Sequence, residues 1–412
     1  MKISFFNQEI TPEIGSEIAG YAPHDISLGV HDPLYVNGLL LDDGENKALM
    51  LGFDLLGLDA SFLAEIRKQC GKKLHISESQ VMATCTHTHS GPQTRTHAGC
   101  DPDLAYIAKL MEWMEHGLDR LSEPQEVNVY YYSVNCDANL NRRVVYPDAE
   151  CCFLPHFKEL LPFADGPCDK ELGMLFFFNG NGMPVYTVVN YAAHPLCSHA
   201  AGKASLLFSA DYPGAVRRII KENTGSECMF ISGAAGDMFP KNYESGWEGV
   251  ESMGRLLADK VLENMQNVRR QKNLFSSDPA ASRKARYAIE TPRLNFSIET
   301  VKFTPAEEKM RKYRRTGSEV LMELQFLSLN DDICFVGLPG ELLAEPGLEI
   351  KWHSPYRKMF LLYNSTGYSY YLPHGHCILE GGYEGKATFL GPRDGLKLVN
   401  AVVDGMYRLK ET

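Results

Sequence analysis

Two histidines, His87 and His89, follow an apolar segment and are the side chains of this sequence best placed for chemistry. The run 80–86 predicts a buried strand, and residues two apart on a strand point to the same face. The two imidazoles are therefore expected to leave the strand end side by side, just before a Gly91-Pro92 break. A metal ligand, or a ligand with its acid–base partner, is expected there, and a pair of surface histidines is the alternative.

Two further candidate ligands follow other apolar segments. His194 ends the segment 188–193 and precedes a proline, and Glu341 follows the segment 335–338 and a Pro-Gly turn. A catalytic zinc ion takes about three protein ligands and keeps an open position. Three predicted strands would each deliver one ligand at the C-terminal end, the usual place of an α/β active site. The alternatives are a buried histidine bonded to the backbone at position 194 and a structural carboxylate at position 341.

A second His-x-His pair, His374 and His376, lies in a glycine-containing segment that ends at Cys377. A rival metal site and an ordinary loop are equally compatible with this pattern. The remaining candidates, His97 and His199, are predicted to be surface residues.

Two aspartates, Asp211 and Asp237, occur in turn-like sequences near predicted helix starts. A carboxylate in such a position accepts hydrogen bonds from free backbone N–H groups, so both are interpreted as capping residues. The segment 233–237 lacks the Lys-Ser end of a phosphate-binding loop, and nucleotide binding is not expected.

Strands and helices alternate along the chain, and no glycine- or proline-rich linker divides it. This order predicts an α/β fold. The predicted strands are 34–41, 47–54, 80–86, 126–135, 174–178, 185–190, 229–232, 321–329 and 333–338. The predicted helices are 61–70, 102–121 with a cap at Asp101, 211–221, 250–268 and 395–409, and residues 269–285 are predicted to form a loop or lid.

Composition restricts the class of partner. The 412 residues carry a formal charge of −11 without a basic stripe, so a nucleic-acid partner is not expected. The eleven cysteines include no C-x-x-C pair, which is typical of reduced thiols. Neither a secretory leader nor an 18-residue apolar span is found, and a cytoplasmic protein without an integral membrane segment is expected.

Five segments resemble the neutral/alkaline non-lysosomal ceramidase family, specifically its N-terminal catalytic domain. They are Thr86-His-Thr-His-Ser-Gly-Pro92, Asn141-Arg142, His194 with its strand, Leu338-Pro-Gly-Glu341 and Tyr383-Glu-Gly385. The resemblance implies an α/β fold, with a layered sandwich of mixed β-sheets flanked by helices and an active site at the C-terminal ends of strands. It also implies one catalytic domain over residues 1–412, without the C-terminal β-sandwich domain of the full-length enzymes.

The same resemblance implies a single zinc ion. Its ligands would be His87, His194, Glu341 and Tyr371, the last of which lies at the family's spacing of twelve residues before Tyr383. Histidine, glutamate and tyrosine ligands also accept iron, manganese or nickel, so the identity of the metal stays open.

The catalytic residues implied by the resemblance are His89, Arg142 and Tyr383. In the family the second histidine of the motif lies beside the metal-bound water, which makes His89 the residue expected to move a proton. Arg142 and Tyr383 are the donors expected to stabilise the oxyanion of an attacked carbonyl.

Three departures from the family limit what can be carried over. Phe239 stands where ceramidases hold a serine, the tyrosine at position 371 lies in an altered context, and the β-sandwich domain is missing. The predicted function is therefore zinc-dependent hydrolysis of a C–N amide bond in a soluble or mildly amphiphilic small molecule, and not in membrane ceramide. An esterase or lactonase on the same site, and a non-catalytic binding protein with a structural metal, are the alternatives. Homo-oligomerisation is left open.

Overall fold

The structure is a computed structural model that describes residues 1–20, 23–96, 100–145, 151–153, 166–276 and 287–412. Helices and strands alternate over these ranges, which confirms the predicted α/β class. The strands are β1 (Lys2–Glu9), β2 (Ile18–Ala19), β3 (Gly29–Val30), β4 (Tyr35–Asp42), β5 (Lys47–Phe53), β6 (Val81–Cys85), β7 (Gly91–Pro92), β8 (Gln125–Glu126), β9 (Asn128–Asn135), β10 (Asn139–Asn141), β11 (Arg143–Val145), β12 (Cys151–Phe153), β13 (Glu171–Phe178), β14 (Pro184–Tyr191), β15 (Leu207–Phe208), β16 (Glu227–Ser232), β17 (Met238–Pro240), β18 (Ala288–Ile289), β19 (Leu294–Phe303), β20 (Val320–Leu329), β21 (Ile333–Gly337), β22 (Glu341–Leu342), β23 (Lys358–Leu362) and β24 (Tyr371–Leu372).

Nine α-helices lie in the described residues. They are α1 (Ala60–Leu74), α2 (Leu104–Asp119), α3 (Asp211–Thr224), α4 (Gly246–Ser276), α5 (Glu307–Lys312), α6 (Ala344–Trp352), α7 (Gly375–Glu380), α8 (Gly382–Lys386) and α9 (Asp394–Lys410). None of these helices is both long enough and apolar enough to cross a membrane.

Three larger sheets form the framework. Their strand orders are β6-β5-β4-β1-β8, β16-β14-β13-β9-β18 and β19-β20-β21-β23. Each sheet is antiparallel except for one parallel pair, which is β5/β6 in the first, β14/β16 in the second and β21/β23 in the third. Parallel neighbours end at the same edge of a sheet, so each parallel pair delivers two chain segments to one place.

The three sheets share a core, and each turns one face toward it. Side chains alternate between the two faces of a strand, so Met50 enters the shared core while Leu49 and Leu51 point to the opposite face. The shared core includes Leu39, Met50, Val188, Ile231, Phe335 and Phe360. Helices cover the outer faces: α1 and α2 on the first sheet, α3 and α4 on the second, α6 and α9 on the third. Burying each large aliphatic side chain contributes about 1.5–3 kcal/mol, which fixes the sheets relative to their helices.

Two predictions about helices are wrong at their ends. The loop predicted for residues 269–285 is helical as far as Ser276, because the Arg, Gln, Lys and Leu residues there are good helix formers and no glycine or proline interrupts them. Residues 277–286 lie outside the described ranges. Helix α2 is capped by Asp103 and not by Asp101, since the Asp103 carboxylate accepts a hydrogen bond from the backbone N–H of Tyr106.

Candidate metal centre

The predicted ligands come together where the parallel pairs of the three sheets end. His87 follows β6, His194 follows β14, and Glu341 begins β22 just after β21. Nε2 of His87 and Nε2 of His194 each lie 3.5 Å from Oε2 of Glu341. The three side chains therefore meet where three strands end, as expected, and their binding of a metal stays a prediction.

Three imidazoles in the site share one hydrogen-bonding pattern. Nδ1–H of His87 donates to the carbonyl of Leu56 over 2.6 Å, and Nδ1–H of His194 donates to the carbonyl of Ala235 over 2.6 Å. His89 is held in the same way, with 3.0 Å between its Nδ1 and the carbonyl of Gly20. A backbone acceptor at Nδ1 leaves the lone pair at Nε2, which is the arrangement of metal-binding histidines.

Two of the three Nε2 atoms have no hydrogen-bond partner in the described part of the chain. Nε2 of His89 and Nε2 of His194 are buried and make no hydrogen bond, although the carboxylate of Glu341 is near the second. One ring nitrogen from each of His87, His89 and His194 lies within 4.8 Å of the others. Buried polar atoms without a partner are costly, so their convergence indicates a ligand that completes them.

Burial keeps the imidazoles neutral. Loss of hydration lowers the pKa of His87 and of His89 well below the usual histidine value, and it lowers the pKa of His194 as well. Nearby positive charge acts in the same direction, although Glu341 opposes it. Neutral imidazole is the form that binds metals.

Glu341 is the negative charge of the site. Burial alone would raise the pKa of its carboxyl, but His87, His194 and Arg95 outweigh burial and lower the pKa well below the usual range. The hydroxyls of Tyr363 and Tyr368 each donate to this carboxylate over 2.8 Å, one to each oxygen. Donors to both oxygens favour the ionised form and fix its orientation.

Tyr371 lies next to Glu341 because the two residues are register partners in the parallel pair β22/β24. Its side chain is buried, and its hydroxyl oxygen accepts a 3.0 Å hydrogen bond from Nη2 of Arg142. Burial first, and then Glu341, raise the pKa of Tyr371 well above that of a free tyrosine. Its phenol is therefore protonated at neutral pH unless a cation binds it.

Arg142 connects the centre to the second predicted donor. Nε of Arg142 donates to the buried carboxylate of Glu384 over 2.6 Å. Cζ of Arg142 lies 5.9 Å from the ring centroid of Tyr383, whose ring is in turn 5.5 Å from that of Tyr371. Tyr383 is 46% exposed, so it is the candidate side chain that reaches the surface.

Phe239, which the resemblance places at the serine position of ceramidases, forms an apolar wall of the site. Its ring is buried against His194, with 6.1 Å between the ring centroids, and the guanidinium carbon of Arg142 lies 4.9 Å from it. It provides no hydroxyl to a substrate at this position.

His89 owes its place to a glycine. A Cβ atom at Gly20 would lie 2.9 Å from atoms of His89, and the φ of Gly20 is +96°. Only glycine allows both this backbone conformation and the close approach. The sequence assigned metal binding to His87 and proton transfer to His89, and the structure places both imidazoles in one group.

The second His-x-His pair forms a separate group. His374 Nε2 lies 2.6 Å from Glu349, and His376 Nε2 lies 2.9 Å from Glu345, so each imidazole is paired with a carboxylate of α6. Glu345, His376 and Cys377 together have metal-ligand spacing. His199 is exposed, and the segment that contains position 97 lies outside the described residues.

Asp237 acts as a cap, as predicted, but on a helix far along the chain. Its carboxylate accepts hydrogen bonds from the backbone N–H of Ala344, at the start of α6, and from the side-chain amide of Asn141. Burial raises the pKa of Asp237 to about 6. Asp211 is the first residue of α3, and its carboxylate accepts from the backbone N–H groups of Ser198 and Tyr212.

Four residues of the site were not found from the sequence. Glu384 was part of a recognised motif without a role of its own, and Tyr363 directly follows the apolar strand β23, which was not predicted. Tyr368 occurs in a tyrosine-rich loop. Arg95 lies eight residues after His87, where nothing in its neighbourhood marks it as buried.

These donors fit a divalent cation. Neutral imidazole nitrogens and one carboxylate are the ligand types of catalytic zinc, and each imidazole already has the second hydrogen bond that orients such ligands. The residues that would hold the ion are His87, His194 and Glu341, with His89 and Tyr371 adjacent.

Comparison with known proteins gives a clear result only for three-dimensional structure. No family model and no curated protein sequence matches this chain significantly. Two solved structures match over 100% of it, each with a TM-score of 0.74 and 16% sequence identity: neutral ceramidase from Pseudomonas aeruginosa, of which 74% is covered, and a ceramidase complexed with C2, of which 75% is covered. At this identity the likeness establishes the fold, and the resemblance read from the motifs is confirmed at that level. The chain has the fold of neutral ceramidase.

Proposed function

We propose that this protein is a zinc-dependent hydrolase of C–N amide bonds. The observation that carries the proposal is the set of three imidazoles, two buried and one half-buried, that each bring a ring nitrogen within 4.8 Å of the others while each Nδ1 is bonded to the backbone. Two of them, His87 and His194, also lie beside Glu341. A zinc ion held there would lower the pKa of a bound water to about 7 and polarise a carbonyl. The shared fold with neutral ceramidase, an enzyme that cleaves an amide, supports the choice of bond.

Arg142 and Tyr383 are the donors for the developing negative charge. The guanidinium of Arg142 is buried and held by Glu384, so it is a preorganised cation in a medium of low dielectric constant. Burial raises the pKa of Tyr383 above its usual value, which keeps its hydroxyl protonated and able to donate. Both groups would stabilise the oxyanion that forms when the substrate carbonyl is attacked.

His89 is the residue for proton transfer to the leaving amine. Its imidazole is neutral because burial lowers its pKa, and its Nε2 has no hydrogen-bond partner among the described residues. A neutral imidazole accepts a proton from the nucleophile and can then deliver it to the nitrogen.

Phe239 favours a substrate other than ceramide. An aromatic ring between His194 and Arg142 takes the place of the hydroxyl that the resemblance would require. We propose that a soluble or mildly amphiphilic N-acyl compound lies against this ring.

Metal content and turnover test the proposal together. We expect the protein purified without chelator to hold one zinc ion per chain and to hydrolyse N-acyl amides faster than matched esters. His87→Ala should lose both metal and turnover, whereas His89→Ala should keep the metal and lose turnover. Wild type without stoichiometric metal would refute the proposal, and cleavage of the ester alone would make the protein an esterase or lactonase. Loss of metal in both variants would make His89 a ligand.

A further inference from the structure

Arg95 is a buried cation whose guanidinium donates no hydrogen bond to the described residues. Its side chain is 1% exposed, and its Nε and Nη1 atoms are buried without a partner within the described ranges. The nearest carboxylate oxygen is Oε1 of Glu341, 3.9 Å from Nη2, which is beyond hydrogen-bonding distance. Burying a guanidinium with unmet donors is unfavourable, so the site lacks an acceptor at this point.

Arg95 packs against a residue that is hydrogen-bonded to Glu341 of the candidate metal centre. Cζ of Arg95 lies 3.3 Å from the ring centroid of Tyr368, a cation–π contact, and the hydroxyl of Tyr368 donates to Oε1 of Glu341. His87 and His194 lie near the other oxygen of the same carboxylate. The guanidinium and the two imidazoles therefore lie near different oxygens of one carboxylate group.

The two arginines of the site differ in how their charges are balanced. Arg142 donates to the carboxylate of Glu384 at 2.6 Å, a carboxylate that also pairs with Arg143 at 3.1 Å. Among the described residues, Glu341 is the one carboxylate within 4 Å of Arg95, and a divalent cation bound to Glu341 would take up that negative charge. With the metal in place, Arg95 is left with a positive charge and free donors, and an anion is the group that would complete it.

The field of Arg95 also extends toward the exposed part of the site. The pKa of Tyr383 is raised by burial, while Arg142 and Arg95 both act to lower it. The positive charge of Arg95 therefore acts on the hydroxyl of Tyr383, whose side chain is partly exposed.

We propose that Arg95 binds a carboxylate of the substrate, so that the substrates are N-acyl amino acids. This inference rests on the proposed amide hydrolysis. A guanidinium presents donors in a plane that matches a carboxylate, and a single arginine matches its single charge. In an N-acyl amino acid only one carbon separates the scissile nitrogen from the carboxylate, which suits a guanidinium so close to the metal ligands.

The test uses pairs of compounds that differ only in charge. A panel of N-acetyl amino acids and the corresponding N-acetyl amino acid carboxamides is offered to wild type, Arg95→Met and Arg95→Lys, and kcat/KM is measured for each. We expect wild type to prefer the acids by about 10- to 100-fold, the range for a hydrogen-bonded charged group. Arg95→Met should lose this preference while it still cleaves the carboxamides, and Arg95→Lys should keep part of it.

Calorimetric binding of the same pairs provides a readout that needs no turnover. Tighter binding of the acids in wild type, lost in Arg95→Met, supports the proposal even where no amide is cleaved, and the proposed hydrolysis would then fail alone. Cleavage without preference for the acids overturns the role of Arg95 and leaves the hydrolase intact. The role of Arg95 is also overturned if a folded Arg95→Met protein keeps the preference for the acids. It is likewise overturned if wild type binds none of the acids more tightly than the corresponding carboxamide.

Discussion

The two His-x-His segments of this chain have nearly the same sequence pattern and lie in opposite environments. His87 and His89 follow a buried strand, and their Nδ1 atoms are bonded to backbone carbonyls. His374 and His376 stand at the start of α7, where their Nε2 atoms are bonded to carboxylates of α6. In the first pair Nδ1 is bonded to the backbone and Nε2 is left to bind a metal. In the second pair Nε2 is already bonded to a carboxylate.

This difference shows that the spacing of two histidines does not predict which ring nitrogen is left free to bind a metal. A strand end with nearby backbone carbonyls fixes one nitrogen and frees the other, and burial then makes the free nitrogen costly without a ligand. A helix opposite two glutamates satisfies both imidazoles by ion pairing at partly exposed positions, where such pairs contribute little. We therefore assign the chemistry to the first pair and a packing role to the second.

The largest expected effect is on turnover. His87→Ala should reduce kcat/KM for an N-acyl amide by about 10³-fold, because loss of the ion removes several kcal/mol of transition-state stabilisation. His376→Ala is the matched control and should retain most of the wild-type rate. A similar loss of kcat/KM in both folded variants would contradict the assignment of catalysis to the first pair alone.

The second expected effect is on the pH dependence of stability, through Asp237. Asp237 caps α6, which carries the partners of the second pair, and its folded pKa of about 6 exceeds the ordinary 3.8. The folded state then binds more protons between these values, so this residue costs stability as pH rises from about 4 to 6. Asp237→Asn removes the cost, and its unfolding free energy relative to wild type should improve by roughly 2 kcal/mol between pH 4 and pH 7.

Urea denaturation at the two pH values measures this change. The hydrogen bond to Asn141 that the variant alters is lost at both pH values, so it cancels in the comparison. The exposed Asp404 provides a control substitution to asparagine. A pH dependence that stays the same in Asp237→Asn would show that this carboxyl titrates normally.

A smaller effect is expected from the tyrosines around Glu341. Tyr363→Phe removes the hydroxyl that donates to Oε2 and should weaken zinc binding by about 10- to 100-fold. Competition with a chromophoric chelator measures the affinity, with Tyr407→Phe, at a half-exposed position, as the control. An unchanged zinc affinity in Tyr363→Phe would show that the hydrogen bond from Tyr363 is not needed to orient the carboxylate of Glu341.

The smallest effect is expected for the second pair. His374→Ala and His376→Ala should each lower the free energy of unfolding by about 1 kcal/mol or less, the range for partly exposed ion pairs. Thermal denaturation with and without added zinc measures it. Stabilisation by zinc that depends on His376 would instead reveal a second metal site at Glu345, His376 and Cys377.

Much of the fold could be predicted from the sequence because its long elements have clear periodicity. The hairpin β20–β21 and the helices α3 and α9 were predicted within a few residues. The end of α4 was missed because its polar helix formers give no apolar stripe. A polar segment without periodicity was therefore predicted to be a loop. Pairing between distant strands, as in β22 with β24, leaves no local signal.

The candidate site divides in the same way. His87, His194 and Glu341 could be found because each follows an apolar strand, and the resemblance to ceramidases added Tyr371, Arg142 and Tyr383. Arg95 could not be found, since its burial depends on packing against Tyr368, far away in sequence. The group formed by His89 with the two predicted ligands likewise depends on how the loop at Gly20 approaches the strand end.

Anomalous X-ray scattering at the zinc edge, on crystals of the protein purified without chelator, tests the central claim most directly. We predict one peak per chain, bounded by Nε2 of His87, Nε2 of His194 and the carboxylate of Glu341, and no peak at His376. An empty first site, or a peak only between Glu345 and His376, would contradict the account.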